Sequence, residues 1–384
     1  MIELAIESLA AGGEGVGRDA AGRVVFVPFA APGDRLRVRI VEEQTRFARG
    51  EIEAILEPAA ARTAPRCAVF GRCGGCAWQH LAYEAQVEAK RAILRDALVR
   101  IGGFADPPLD FVASPAPYGY RSRARLLAAG GEVGFRERRS HALCAIRSCP
   151  LLAPPLDAAV APLAGAADGE WELALGSDGA VRVTSLAAPQ GERIALDVAG
   201  ERVEISPGGF AQANALLQGA LAQAVRDAAG QGDELLELFA GAGFFTLGLA
   251  RRFQRVAAVE SDARAVADLA HNARAAGLRH VRVIEAKSET VLAEARGQRI
   301  QPQVVVLDPP RGGIGPRASG DLAKLPVRRV VHVSCDPATL ARDLAVLGGR
   351  GFALERVTGF DLFPQTPHVE AVAVLTRARP PSAG

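Results

Sequence analysis

The chain has 384 residues, enough for two or three domains at roughly 150 residues each. Apolar residues make up 49% and charged residues 23%, a balance that excludes a disordered or fibrous chain. The formal net charge of +2 points to no partner, and the scarcity of lysine (Lys90, Lys287 and Lys324 among 45 basic residues) is what a GC-rich genome produces.

The longest uncharged run, Ile205 to Val225, is broken by Pro207, three glycines and Asn214, far from the roughly 18 apolar residues of a membrane span. Met1-Ile2-Glu3-Leu4 lacks the basic start of a signal peptide, so a cytoplasmic protein without a membrane partner is expected. Six cysteines in a reducing compartment are expected as ligands, nucleophiles or buried residues rather than disulfides.

Residues 1–57 alternate apolar and polar side chains in short runs, Leu4 to Leu9, Val24 to Val27, Leu36 to Val41 and Gly50 to Leu56. Gly12-Gly13 and Ala31-Pro32-Gly33-Asp34 are turn signals between them, so the spacing predicts a small β-barrel of the OB type. A helical period runs from Tyr83 to Val99 and stops before Gly102-Gly103. Residues 104–205 are rich in proline and short strands and give no sharper reading. From about 206 onward strand and helix patterns alternate, the mark of a parallel α/β sheet. Strands are expected at Glu234–Leu238, Val256–Val259, Val281–Ile284, Val304–Leu307, Val330–Val333 and Glu370–Leu375, with helices such as 262–276 and 337–347 between them. The domain division expected is 1–58, 59–205 and 206–384.

Charge is uneven along the chain. Residues 1–61 carry a net −3, residues 62–150 a net +7, and the remainder a net −2. Most of the middle excess lies in Arg121, Arg123, Arg125, Arg136, Arg138, Arg139 and Arg147. Such a stripe suits a phosphate backbone, although a solvated surface would look the same.

Cys67, Cys73 and Cys76 fall within ten residues, with Gly74-Gly75 allowing a tight turn, and Cys149 before Pro150 is the natural fourth ligand. Spacing of this kind in a cytosolic chain points to an iron–sulfur cluster or zinc and does not separate the two. Cys144 is expected as a small buried hydrophobe.

Leu235-Leu236-Glu237-Leu238-Phe239-Ala240-Gly241-Ala242-Gly243 reads as strand and glycine turn, and Glu260 ends the next strand, where a carboxylate accepts ribose hydroxyls. Thr246 stands where the third glycine of a dinucleotide fingerprint would be, which counts against a dehydrogenase. Asp308-Pro309-Pro310-Arg311 follows a later strand at the ligand-binding edge, and the combination suits S-adenosylmethionine, which has no pyrophosphate. Cys335 then follows a strand and precedes Asp336-Pro337, an N-cap and first helical residue whose helix start favours a thiolate. Glu370, in Pro364-Gln365-Thr366-Pro367-His368-Val369-Glu370, is the candidate base.

Taken together these residues resemble the RNA uracil-5-methyltransferase family. The N-terminal region resembles a TRAM domain, and Cys73-Gly-Gly-Cys76-Ala-Trp78-Gln79-His80 resembles the family's cluster-binding segment. Phe210-Ala-Gln212-Ala-Asn214, Asp308-Pro-Pro-Arg311, Ser334-Cys335-Asp-Pro and His368-Val-Glu370 match its later motifs in order. The resemblance implies a Rossmann-like class I methyltransferase domain behind a TRAM barrel and a central iron–sulfur domain.

It also implies that Gln212, Phe239, Glu260 and Asp308 line the S-adenosylmethionine site, with Cys335 as nucleophile and Glu370 as base. Cys67, Cys73, Cys76 and Cys149 would hold a [4Fe-4S] cluster. The expected partner is RNA, a single-stranded or looped uridine of 23S rRNA, with transfer RNA as the alternative and a monomeric enzyme. Phe244 and Lys287 depart from the family's usual residues and are left out of the cofactor site. Outside this reading stand a non-catalytic RNA-binding iron–sulfur protein and an adenine-amine methyltransferase. The first leaves Cys335 and Glu370 idle, and the second usually has an aromatic where this chain has Arg311.

Overall fold

Apolar and polar side chains alternate through residues 2–57, and in the computed structural model, which describes residues 1–294 and 301–377, the alternation closes on itself. Five strands, Ile2–Leu9, Gly15–Arg18, Val24–Val27, Arg35–Glu43 and Phe47–Glu57, form a closed barrel. Leu4, Ile6, Val25, Val27, Leu36 and Val38 fill it. The outward residues are charged and paired, as Arg39 is with Glu51 at 2.5 Å and Glu53 at 2.7 Å.

One charge lies inside the closure. Asp34 is fully buried and accepts N–H groups from Ala31 (2.6 Å) and Ala59 (2.9 Å) and two guanidinium bonds from Arg62. Burial works against its charge, but Arg62 and the two amides hold its pKa below the usual value.

The proline-rich middle folds as a five-stranded sheet in the order Val181–Ser185, Gly169–Leu175, Arg123–Ala129, Glu132–Arg136, Leu143–Ala145. Neighbouring strands are antiparallel, and Leu126, Val133, Leu152, Leu156 and Leu173 make its core. The helix Tyr83–Arg100 does not pack there. Its Leu94, Ala97 and Leu98 join the core of the large C-terminal sheet.

That sheet has eight strands in the order Val281–Glu285, Phe253–Glu260, Gly232–Leu238, Val304–Leu307, Arg329–Ser334, Glu370–Arg377, Phe352–Phe360, Leu109–Val112. The first five run parallel, and Glu370–Arg377 is antiparallel to both its neighbours. Both faces are covered, so the central strands are largely apolar, Val304–Leu307 wholly so. Leu235, Val304 and Val306 belong to one core, and Leu236, Val305 and Leu307 to the other.

All six strands expected from the alternating pattern are present; two further ones had no clear signal. Phe352–Phe360 shifts register between Leu354 and Arg356, where the charged pair Glu355-Arg356 interrupts the alternation, as a β-bulge does. Leu109–Val112 is only four residues long, and it pairs in parallel with Phe352–Phe360 although about 240 residues separate the two. No helix among the described residues is long and apolar enough to cross a membrane.

Candidate active site

Ligands of open parallel sheets bind beyond the carboxyl ends of the strands. Five neighbouring strands place an acid or a thiol at that edge. Glu260 ends Phe253–Glu260, Glu237 is the penultimate residue of Gly232–Leu238, Asp308 follows Val304–Leu307, and Cys335 follows Arg329–Ser334. Glu370 opens the antiparallel strand Glu370–Arg377, so its start lies at the same edge. The register ends at Ser334↔Ala371, so Cys335 and Glu370 each lie one residue beyond it at the same edge, where the Glu370 charge acts on the thiol.

The glycine turn is built by backbone conformation. Phe239 has φ +59°, which a phenylalanine adopts only where its surroundings hold it, and the chain then turns through Gly241. At Gly243 a Cβ would lie 2.8 Å from Leu269 Cδ1, so only glycine lets the turn approach the helix Ala263–Ala275. Glu260 closes the turn. Its Oε2 accepts the Gly241 N–H at 2.9 Å, and its Oε1 accepts those of Ser261 (2.6 Å) and Asp262 (2.8 Å). Oε2, with one accepted bond, keeps acceptor capacity for a ligand hydroxyl, whereas Oε1 already takes two.

Burial governs the acids. Glu237 is 1% exposed, and neither of its oxygens makes a well-aligned hydrogen bond. Burial pushes it up to about 8, with Asp308 and Glu260 adding to the rise and the Thr246 hydroxyl offsetting part of it. Burial also lifts Asp308 to about 7, and burial with the neighbouring Asp308 charge raises Glu370 well above the carboxylate range.

The helix start does form beside Cys335. Asp336 accepts the Thr339 N–H at 2.8 Å and Pro337 occupies the first turn. The stabilised thiolate expected from it does not follow. Burial, then Glu370 and Asp308, push the Cys335 thiol up to about 11, and Arg311 offsets only part of the rise. Burial first, and nearby negative charge second, outweigh the helix end.

Asn214 anchors the segment Phe210–Asn214, whose Gln212 lines a small cavity with Ser122, Arg123 and Ala211. Asn214, fully buried, donates to Leu362 O and Ser114 Oγ, both at 3.2 Å, which ties the segment to the chain just before Glu370. Gln212 is 7% exposed, whereas Phe210 is 75% exposed, unusual for an aromatic side chain. Phe244 is half-buried against the core with its ring 4.9 Å from Phe245, and Lys287 is exposed.

Cys67, Cys73, Cys76 and Cys149 line a single pocket, together with Gln79 and Arg121. The Gly75 N–H donates to Cys73 Sγ at 3.4 Å and Gln79 Nε2 to Cys76 Sγ at 3.3 Å. Burial pushes Cys73 up to about 11 and Cys76 up to about 12, and the other thiols of the set add to both. Among the described residues no three histidine, cysteine or acidic side chains are disposed to hold a single metal ion. Cys144 lies outside the pocket, fully buried, with Arg72 Nε 3.3 Å from its sulfur.

The arginine stripe is not one surface. Arg123 is paired with buried Glu172, Arg136 with Glu170 at 2.8 Å, and Arg139 with Glu14 of the barrel at 2.8 Å. Arg121 reaches the cysteine pocket, Arg125 is exposed with its Nε 3.7 Å from Glu172, Arg147 is exposed, and Arg138 is stacked 4.8 Å from the Phe29 ring. Arg123 and Arg125, two apart on one strand, share a face and both approach Glu172, whereas Arg138, Arg139 and Arg147 lie outside the strands, so a run legible in sequence is divided in space.

Sequence reading passed over Glu237 and Asn214 as site residues. A lone acid in the apolar run Leu235-Leu236-Glu237-Leu238 was the available signal for the first.

Comparison with known proteins gives the family. A profile described as tRNA (Uracil-5-)-methyltransferase matches residues 193–378, and the TRAM domain matches residues 1–52. The 23S rRNA (uracil(1939)-C(5))-methyltransferase RlmD of Chromohalobacter salexigens is 36% identical, covering 98% of this chain and 90% of that protein. The RlmD of Aeromonas salmonicida is 33% identical over 97% of this chain and 96% of its own. Among solved structures, the tRNA (uracil-54, C5)-methyltransferase of Pyrococcus abyssi, in complex with S-adenosyl-L-homocysteine, shares the fold with a TM-score of 0.78. Its identity is 24%, covering 98% of this chain and 100% of that one. The chain is a TRAM-domain protein of the S-adenosylmethionine-dependent RNA uracil-5-methyltransferase family.

Proposed function

We propose that this enzyme methylates C5 of one uridine in 23S ribosomal RNA, with Cys335 as nucleophile and Glu370 as base. The observation that carries the chemistry is the register of two strands, which sets Cys335 and Glu370 at facing ends beside Asp308. The substrate rests on the two relatives named for uracil 1939 of 23S rRNA, matched over nearly their whole length.

Uracil C5 is too weak a nucleophile to take a methyl group directly. Addition of the Cys335 thiolate to C6 moves electrons onto O4 and makes C5 nucleophilic. S-adenosylmethionine supplies the electrophilic methyl and brings a positive charge that favours the ionised forms of Asp308, Glu370 and Cys335. After methylation Glu370 takes the C5 proton, the C5–C6 double bond re-forms and the C6–S bond breaks. Gln212, Phe239, Glu260 and Asp308 would hold the cofactor, with Glu237 buried behind them. The target base has to leave its stack to reach this edge, and exposed Phe210 offers it or a neighbour a ring to stack on.

Cys67, Cys73, Cys76 and Cys149 would hold a [4Fe-4S] cluster. Four thiols line one pocket, and two already receive the N–H bonds common around cluster sulfur. Bound there, the cluster would shape the loops that pack on the barrel and on the catalytic edge.

The test is to incubate the enzyme with labelled cofactor and 23S rRNA lacking 5-methyluridine, then map the label. A single labelled uridine is expected; label on transfer RNA alone would reassign the substrate. Cys335→Ala should abolish turnover with RNA binding retained, whereas Glu370→Gln should accumulate a covalent RNA adduct.

A further inference from the structure

The strands Phe352–Phe360 and Glu370–Arg377 form a hairpin whose register ends at Phe360↔Glu370. The connection 361–369 therefore begins beside the residue it delivers. Three side chains of the helix Tyr83–Arg100, outside the matched catalytic segment 193–378, reach this connection. They are Tyr83, Gln86 and Lys90, spaced i, i+3 and i+7 on one helix face.

Lys90 and Asp361 are both fully buried. Lys90 Nζ donates to Asp361 Oδ1 at 2.5 Å and to Phe363 O at 2.9 Å. The Tyr83 hydroxyl donates to Asp361 Oδ2 at 2.9 Å and accepts the Ser114 N–H at 2.7 Å. Gln86 Oε1 accepts the Gln365 N–H at 2.9 Å, and its Nε2 donates to Gln365 Oε1 at 3.0 Å. Gln365 has φ +68°, a conformation glutamine keeps only when its neighbours enforce it, and its carbonyl accepts the Ala77 and Trp78 N–H groups at 3.0 Å each.

A buried ion pair is poor evidence for stability, because apolar side chains of similar volume often serve as well. This one is concentrated on the residue following the register partner of Glu370. We infer that Lys90 is a positioning residue for proton removal from C5: with Tyr83 it fixes Asp361, and through the Phe360↔Glu370 pair it fixes the carboxylate. The inference rests on the role proposed for Glu370. A pair that only joined the central region to the sheet would slow every step alike. A pair that aims Glu370 affects the last step, after Cys335 has bonded to C6 and C5 carries its methyl group. Then C5–H abstraction and C6–S cleavage stall together, and the methylated adduct persists.

The full-length, cluster-loaded enzyme is incubated with a 23S rRNA fragment and labelled cofactor, quenched in detergent and resolved on a denaturing gel. The variants are Lys90→Met/Asp361→Asn, which removes both charges, and Tyr83→Phe, which removes one hydroxyl. Turnover should fall about 100-fold in the first and about tenfold in the second, the range expected from a small misplacement of a reacting group. Cofactor Kd should stay within about threefold, and labelled adduct should accumulate as it does in Glu370→Gln. Turnover at the parent rate, or slow turnover without adduct, overturns the inference. If the double variant does not fold, Tyr83→Phe decides by the same readout. If Glu370→Gln itself gives no adduct, the role of Glu370 falls and this inference falls with it.

Discussion

Cys335 and Glu370 are separated by 34 residues in sequence, yet Ser334 pairs with Ala371, and so the two lie at the same edge of adjacent antiparallel strands, near enough for the Glu370 carboxyl to raise the Cys335 thiol. An all-parallel sheet would have carried Glu370 to the opposite edge. The reversal of one strand brings the proposed base to the end where the parallel strands deliver the thiol and the residues proposed to hold the cofactor.

Cys335 should resist alkylation in the absence of cofactor. With its thiol pushed up to about 11 by burial, Glu370 and Asp308, the thiolate fraction at pH 7.5 is on the order of 100-fold below that of an ordinary cysteine. Iodoacetamide labelling, mapped by peptide mass spectrometry, should rise about tenfold per pH unit from 8 to 10. S-adenosylmethionine, which carries a positive sulfonium, should speed labelling at neutral pH, and neutral S-adenosylhomocysteine should not. Labelling that levels off below pH 9 would contradict the assigned environment.

Asp308→Asn should move two readouts in opposite directions. Removing the carboxylate takes away a negative neighbour that raises both Cys335 and Glu370, so alkylation of Cys335 should accelerate. Cofactor affinity should fall by about 100-fold if Asp308 holds the cofactor through a charge-assisted bond, a loss of about 2.7 kcal/mol. A misfolded variant would bind cofactor poorly but would also label at its other cysteines.

Iron and acid-labile sulfide, each at about four per chain, should accompany protein purified without oxygen. Cys76→Ser should lose both together. Zinc found in their place would refute the cluster.

The Asp34–Arg62 clamp gives the barrel an acid-sensitive component. Asp34 has a folded pKa below its unfolded value, so its contribution is complete above about pH 4 and disappears as pH falls through the folded value. Asp34→Asn should cost about 2–4 kcal/mol at pH 7, because Arg62 loses its carboxylate partner in a partly buried site. The difference between variant and parent should narrow between pH 4 and pH 2 in urea titrations; a constant difference would remove Asp34 as its source.

The barrel touches the catalytic connection through a glycine. Gly13 has φ +87°, its carbonyl accepts Trp78 Nε1–H at 2.9 Å, and a Cβ there would lie 3.0 Å from Pro367 Cγ. Gly13→Ala should lower stability by about 1–3 kcal/mol and reduce turnover. Gly12→Ala, where a Cβ meets nothing within 4 Å, is the control and should leave both near the parent values in melting and activity assays.

Local pattern determined a good deal of this protein. Alternation in residues 2–57 is enough for a barrel because one face of each strand must be dry, and the glycine turn, Asp308 and Asp336-Pro337 announce strand ends by their own backbone chemistry. The cysteine spacing likewise marks its pocket before any fold is known. Tertiary structure decided what depends on neighbours distant in sequence. Whether Cys335 is a thiol or a thiolate turns on the burial and charge contributed by Asp308 and Glu370, not on the helix beside it. Whether Arg123 is free for a phosphate turns on Glu172, forty-nine residues away. Lys90, one of three lysines in the chain, carried no sequence signal at all, since only the packed helix shows that its ammonium lies on Asp361. Spacing along the chain governs hydrogen bonds and turns within a few residues, whereas charge and desolvation act through space.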